Sequence, residues 1–571
     1  MSVLADTLER TREVTTEIRR RRKAIKQAKP KVFLYKNNPD GSPGAVYRGR
    51  INFREFTKHQ FPDVKNVSSA GMFEIRTTHY LAKWIMTVPN NPDECKNILI
   101  RVDMYGGRWR WTGLGHDWKV STRDGVDYLV VTFNDDMQFV QFMLCPPNPL
   151  LPIPIFQWPR DFWLGPVPSV WGIAVMMLLN LARLQGLITL PNDPGDIEQW
   201  EDLPALPHWQ VHVKVPNFFE DSSLWTFLGS RMNTIDSVIA DALEAGQLCL
   251  TYRRYFTDEG EHVTGLIDNN IANGALVFEV VDRSGFGRDS GTYFGGNALT
   301  GLERSVIQWV LGFVEDTTSL VNDDEGLYAD EYWQSDFLGQ IAGSPPYILR
   351  DSHMNDLQSE LSYAEATATR VIVGGDNPTA DAIANLIISA TGNLIGYFLL
   401  GGFDSLGDIA SDIIMPFLVG TILAWDEWEN QSRKTNLGWI HLFEVYVAGA
   451  EMNAWSLAAL EVWRGGFKHT DAENANTCVI GNDTWFIPGL HGRTGDRMGH
   501  TNGAYRRATG DRIIFISQFE EMTLQGGGDG EFDFLMKIGQ NKAALSSGEH
   551  SALMFKNAFN RIADIGVHLV Q

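Results

Sequence analysis

The side chains in this sequence that could do chemistry come in small, separated groups. His208 and His212 stand four apart in HWQVHVKV, and His491 and His500 bracket HGRTGDRMGH. Paired imidazoles are what a zinc site is built from, provided further ligands stand close by. His208 and His212 fall in an alternating stretch that reads as a strand, which sets them roughly 13 Å apart, too far to share one ion. His491 and His500 lack a third ligand at a zinc-like spacing, so their stretch reads as a turn. NDDEG at 322–326 has the acids of half a calcium loop but neither the alternate spacing nor the distal glutamate. GFGRDSGTYFGG at 285–296 has the glycines of a phosphate loop but not the strand–GxGxxG–helix arrangement with a following acid, and reads as a sharp turn. HExxH, GxSxG and GxxxxGK[ST] do not occur. The expectation is a non-enzymatic chain with no catalytic residue, no metal and no cofactor.

Trp109, Trp111 and Trp118 alternate with Arg108, Arg110 and other polar residues in GGRWRWTGLGHDWKV. Such a ladder can stack on sugars or bases. The plainer reading, adopted here, is one face of a barrel core with arginines against aromatic rings.

Charge narrows the function classes further. The 571 residues carry a net charge of −22, which argues against a surface that wraps nucleic acid, since phosphate neutralisation needs clustered Lys and Arg. The same balance suits a surface that DNA slides past without sticking. The first 36 residues run the other way, with 11 Lys and Arg against four acids, including RRRRK at 19–23. Cys95, Cys145, Cys249 and Cys478 lie far apart and read as buried hydrophobes in a reducing compartment. The start, MSVLADTLERTREV, is too charged for a signal peptide.

The positioning elements divide the chain as follows. Residues 1–36 form a basic helical arm, and 37–160 a first β-barrel-like domain with a turn at Asp124-Gly125. Residues 161–208 hold an apolar helix, Ser169 to Gln185, and a connector. In 209–304, strict alternation of Trp209, Val211, Val213 and Val215, a helix from Thr234 to Gly246 and two further strands make an α/β module. Residues 305–365 are an acidic connecting region, 366–425 an apolar helical hairpin, and 426–470 a helical segment. Residues 471–525 are a second β-barrel-like domain, and 526–571 a Gly-rich linker with a C-terminal helix. The fold class is therefore α+β and multidomain.

The hairpin is the most unusual block. No charged side chain occurs over the 22 residues from Ala382 to Phe403, nor from Ile413 to Trp425. Asn377 and Pro378 suit a helix start, and Gly401-Gly402 a stop. Ile383, Leu386, Ile387, Leu394, Ile395, Phe398 and Leu399, then Ile414, Phe417 and Leu418, give it an apolar face that needs cover. Asn385, Ser389, Thr391, Asn393 and the absence of flanking Lys or Arg fit a bilayer poorly, so a buried oligomer interface is the reading adopted.

Several phrases together resemble one family, the minor tail proteins of siphoviruses infecting actinobacteria, placed at the tail tip as baseplate hub. They are PNPLLPIPIFQWPRDFWLGPVPSVW (Pro147–Trp171), DSSLWTFLGSRM (Asp221–Met232), LVFEVVDRSGF and GTYFGGNALTGLERSV (Leu276–Val306), FLGQIAGSPPYILRDS (Phe337–Ser352), ATATRVIVGGDNP (Ala366–Pro378), the hairpin, and TGDRMG (Thr494–Gly499). The resemblance covers roughly Tyr35 to Gln525; the basic arm and the GGGDG-linked tail lie outside it. It implies two hub-type β-barrels, with α/β and helical domains inserted. It also implies a homotrimer at the virion tail tip, assembled in the host cytoplasm. The trimer would adapt the tail tube, close the channel, and meet the distal tail protein, other tail-tip proteins and the tape measure protein. Genomic DNA would pass through without specific binding, and membrane contact would come only during entry. The other class is a tail-tip protein that acts on the host envelope, by cell-wall degradation or membrane penetration.

Overall fold

A computed structural model describes residues 2–92, 94–151, 153, 157, 162–185, 208–284, 296–302, 305, 319–322, 347–349, 359–374, 425–447, 466–467, 470–480, 486–511, 513–528 and 532–539. The expected hairpin residues from Ile383 to Leu418 lie outside these, as do most of the acidic region and the expected C-terminal helix beyond 539.

The chain opens with helix α1, Ser2–Gln27, and β1, Lys31–Asn37. The basic arm expected over 1–36 thus ends at residue 27. Past Pro30 the VFLY run is strand, with Val32, Leu34 and Tyr35 buried. Strands β2 (Ala45–Ile51), β3 (Phe56–Val64) and β4 (Ala70–Arg76) follow, then α2 (Tyr80–Thr87), β5 (Ile98–Met104), β6 (Trp109–Arg123) and β7 (Val126–Asp135). The His79 ring caps α2 by accepting from the Leu81 amide at 3.2 Å, and Leu81, Ala82, Trp84 and Ile85 turn inward. Asp124 and Gly125, at φ +52° and +74°, make the two-residue turn from β6 to β7 that sequence predicts.

The next unit contains β8 (Leu144–Cys145), β9 (Phe162–Pro168), α3 (Ser169–Leu184), β10 (Val211–Val213), β11 (Trp225–Ser230), β12 (Asn233–Thr234), α4 (Ile235–Ala245), β13 (Leu248–Tyr255) and β14 (Ala275–Asp282). Its sheet runs β10-β14-β13, with β10 parallel to β14. The apolar α3 is not part of a separate connector. It packs on this sheet, and Ile173, Ala174, Met176 and Met177 share a core with Val211, Leu243 and Phe278. After α4 the left-handed residue is Gln247 at φ +53°; Gly246 is the C-cap, at φ −82°.

The C-terminal part holds β15 (Ser319–Asn322), β16 (Ile348–Leu349), β17 (Ser359–Ala364), β18 (Ala368–Gly374), β19 (Trp425–Glu429), α5 (Gln431–Leu437), β20 (Leu442–Tyr446), β21 (Glu473–Ile480), β22 (Arg497–His500), α6 (Gly503–Thr509), β23 (Ile513–Gly527) and β24 (Asp533–Ile538). Two expectations fail here. The segment 426–470 is not one helical run. Asn430 caps α5 and Gly438, at φ +77°, ends it, while β19 and β20 pair with opposite edges of β18. Tertiary pairing thus overrides the helix-like spacing of Trp428 and Trp439. Nor is 526–539 a linker leading into a helix. β23 runs to Gly527, and Phe534, Met536 and Ile538 are buried on β24.

The main sheet has 14 strands in the order β17-β21-β24-β23-β3-β4-β7-β6-β5-β1-β2, with β15 and β22 on β23 and β16 on β22. Segments expected as two barrels therefore join at one seam, where Glu521–Gly527 of β23 pairs antiparallel with Lys58–Val64 of β3. They also share one core: Phe61, Trp111 and Phe133 cluster with Phe519, Leu524 and Phe534. β23 is buried on both faces over Ile514–Phe519, which explains why Ile514, Phe515 and Ile516 are apolar without alternation. The architecture is α+β with sheets predominant. Among the described residues no helix is long and apolar enough to cross a membrane.

Candidate functional site

The densest group of charged side chains lies where the α/β unit meets the main sheet. β5 and the start of β6 are buried, yet Arg101, Asp103 and Arg110 point toward β13 and the turn after it. Asp103 accepts from Arg101 Nε and from Arg110 Nε, each at 2.7 Å. Arg101 also donates to Glu259 at 2.7 and 2.9 Å and to the Tyr35 hydroxyl at 2.7 Å. Arg110 grips Glu261 with two bonds of 2.7 and 2.8 Å. The Phe256 ring stacks on Tyr35 at 4.5 Å and lies under both guanidinium groups, at 4.3 and 5.3 Å. Burial works to lower the Arg101 pKa, but the Glu259 hydrogen bonds and the Asp103 charge hold it above its usual value. Burial pushes the Tyr35 phenol up.

Deeper in the same junction, three acids follow one another. Asp136 receives Arg254 Nε and Nη2, each at 2.7 Å, and the Thr112 hydroxyl. Asp63 accepts from Trp109 Nε1 at 3.3 Å and Thr494 Oγ1 at 3.2 Å, and burial raises its pKa. Asp135 has Ser68 Oγ at 2.9 Å and Ser69 Oγ at 2.6 Å. The Ser69 oxygen also lies 2.7 Å from the Pro62 carbonyl, which can only accept. A hydroxyl has one proton. If it goes to Pro62, the 2.6 Å contact needs its proton from Asp135, so the geometry suits a carboxylic acid. Burial pushing Asp135 up to about 7, against the lowering by Ser69 and Ser68, agrees with that form.

Chemically, the three arginines and Asp103, Asp136, Glu259 and Glu261 neutralise one another across a junction. They hold two units together and leave no free nucleophile among them. Among the described residues, no group of three or more His, Cys, Asp or Glu could hold a metal ion.

Comparison with known proteins decides what kind of molecule carries this junction. The family described as Siphovirus ReqiPepy6 Gp37-like protein matches residues 45–540. The chain belongs to that family. Two relatives bear the name minor tail protein Gp28. The one from Mycobacterium phage L5 is 27% identical over 525 residues, covering 83% of this chain and 86% of its own. The one from Mycobacterium phage D29 is 28% identical over 544 residues, covering 86% and 88%. The resemblance to siphovirus minor tail proteins, read from phrases such as Asp221–Met232, is therefore shown. The tail protein from Neisseria meningitidis MC58 is 8% identical with a TM-score of 0.37, covering 90% of this chain and 97% of its own.

Within this Gp37-like chain, the residues singled out from sequence scatter. The apolar interface set from Ile383 to Leu418 lies outside the described residues, as do Asp323–Gly326 and nearly all of 285–296. His208 is exposed, while His212 is buried with its Nε2 3.2 Å from the Trp209 carbonyl. His491 accepts from the Ile487 amide at 3.0 Å and stacks on Tyr347, and the buried His500 stacks on Phe515. Neither pair gathers a ligand set. Trp109 and Trp111 are core residues, whereas Trp118 is half exposed on the β6–β7 hairpin. The clamp of Arg101, Asp103, Arg110, Glu259 and Glu261 escaped the sequence reading. Its signal was the pair of charges in the otherwise apolar ILIRVDM, with an acidic DEGE elsewhere to receive them.

Proposed function

We propose that the chain is the hub of a non-contractile tail tip, a homotrimeric adaptor below the tail tube that closes the channel and opens it for DNA delivery. The observation that carries this reading is family membership across residues 45–540. In it, the strands of 37–145 and 475–525 are the two hub barrels, and three copies set them in a pseudo-sixfold ring. The chain acts structurally and not as an enzyme. It is assembled in the host cytoplasm and sits at the tail tip beside the distal tail protein, other tip proteins and the tape measure protein. The net charge of −22 suits a lumen that repels phosphate. The apolar block 380–424, with Leu394 and Phe398, is the surface three copies bury around the axis, and membrane contact comes only at entry.

Light scattering on the purified chain tests the reading: the expected mass is three times the 64.0 kDa of one copy. Leu394→Asp is expected to yield monomers that keep the described fold, because burying an unpaired carboxylate at an interface is strongly unfavourable. A monomeric unaltered chain, or normal tail assembly by the variant, would sink it. Cell-wall digestion or liposome leakage by the chain would favour action on the envelope instead.

A further inference from the structure

Two surfaces of the described molecule are bare in a way that ordinary solvation does not explain. The first is the turn after α5 and the start of β20. Trp439 is 94% exposed, Ile440 86%, Leu442 65% and Phe443 75%. Isolated apolar residues are normal on a surface, but four within five positions, with Leu442 and Phe443 on opposite faces of the edge strand β20, mark an interaction site. Its rim is acidic: exposed Glu427 and Glu444 flank it, with Arg370 near both, at 3.2 and 3.8 Å.

The second surface is α1. Its described side chains from Arg10 to Ala24 are all exposed, including Val14 at 54% and Ile18 at 49%, one helical turn apart. Arg19, Arg20, Arg21 and Lys23 supply four exposed cations on the same helix, and the first 36 residues carry +7 while the remainder carries −29. Most helical stability in proteins comes from packing an apolar face, and the described side chains of α1 from Arg10 to Ala24 have no such cover.

We infer that these surfaces cover each other between copies: α1 of one chain lies with Val14 and Ile18 on the Trp439–Phe443 strip of a second, its arginines over Glu427 and Glu444. A DNA duplex would satisfy the cations but leave Val14 and Ile18 in water. An anionic bilayer would accept α1, yet the glutamates beside the strip would be repelled by it. A second copy satisfies both surfaces at once. This contact rests on the trimeric reading and adds to it the surfaces that hold neighbours together outside the channel.

The test uses full-length chains. Copies carrying Ile18→Cys are co-expressed with differently tagged copies carrying Phe443→Cys, both positions being exposed enough to spare the fold. Mild oxidation is expected to give a disulfide-linked pair bearing both tags, absent when either variant is expressed alone. Val14→Glu with Ile18→Glu is expected to weaken association about 100-fold, since two carboxylates would press on an apolar strip. Adding Glu427→Arg and Glu444→Arg to a chain with Arg19→Glu and Arg20→Glu should restore what either half loses. No mixed disulfide in an oligomer of normal mass overturns the contact and leaves the trimer standing. A monomeric unaltered chain fails the trimer itself. Binding of a DNA duplex or of phosphatidylglycerol vesicles through α1, with association unchanged in the Glu variants, also overturns it.

Discussion

Arg254 of β13 holds both carboxylate oxygens of Asp136 at 2.7 Å, and both side chains are buried. This pair spans the α/β unit and the main sheet, and Arg254 also donates to the Gly274 carbonyl at 2.9 Å. Breaking one partner leaves the other charged and dry. Arg254→Met is expected to cost about 3–5 kcal/mol of stability, while Arg254→Met with Asp136→Leu recovers most of it. Urea unfolding of both variants checks this; equal losses would show that the charges matter less than the packing.

The outer clamp should respond unevenly. Asp103 is buried and serves two arginines, whereas nearly half of the Glu259 side chain is exposed. Asp103→Ala is therefore expected to cost about 3–5 kcal/mol, because Arg101 and Arg110 lose a buried partner. Glu259→Gln should cost no more than about 1 kcal/mol. Amide exchange in 257–261 should rise in both variants, and in β5 only for Asp103→Ala.

Asp135 gives the junction a pH dependence with a definite sign. Its carboxyl titrates at about 7 when folded, against about 3.9 in an unfolded chain. The folded state thus holds the proton more tightly, so this contribution is complete below about pH 4 and is lost as pH rises toward 7. The slope is at most about 1.4 kcal/mol per pH unit. Asp135→Asn can donate to Ser69 and accept from Ser68 as the acid does, and it should remove this slope. Thermal melts from pH 4 to pH 8 decide it: parallel curves for the two proteins would refute the protonated form.

Close packing around Trp111 predicts intolerance at Gly71. A Cβ added there would stand 2.6 and 2.8 Å from ring carbons of Trp111 and 3.1 Å from Phe61. Gly71→Ala is expected to destabilise by about 1–3 kcal/mol through overpacking. Trp111→Phe in the same chain should relieve part of that, which a double-mutant cycle measures.

What was legible in the sequence was local. Alternation in WQVHVKV, the Asp124-Gly125 turn and the apolar run of α3 each express one element whose own neighbours impose its pattern. Pairing between distant segments leaves no such trace. Nothing in Glu521–Gly527 announces Lys58–Val64 as its partner, so the seam that joins the two expected barrel segments could not be read from sequence. The stretch around Trp428 and Trp439 misled for a related reason. Rings spaced as on a helix sit on β19 and on the turn into β20, and β18, which separates those strands, comes from far upstream. The clamp was obscure because Arg101 and Glu259 acquire meaning only when the chain brings them together.

The β3–β23 seam has a consequence for how the protein is made. Lys58 pairs with Gly527, so the N-terminal half of the sheet is translated long before the strand that completes it. Until then β3 presents an open row of amides and carbonyls and one side of the Phe61 core stays wet. Pairing over so great a sequence distance is slow, and a nascent chain waiting in that condition is exposed to its neighbours on the same message. Fragments that stop short of residue 527 should accordingly be insoluble, and the ribosome, not the finished virion, is where this sheet is most at risk.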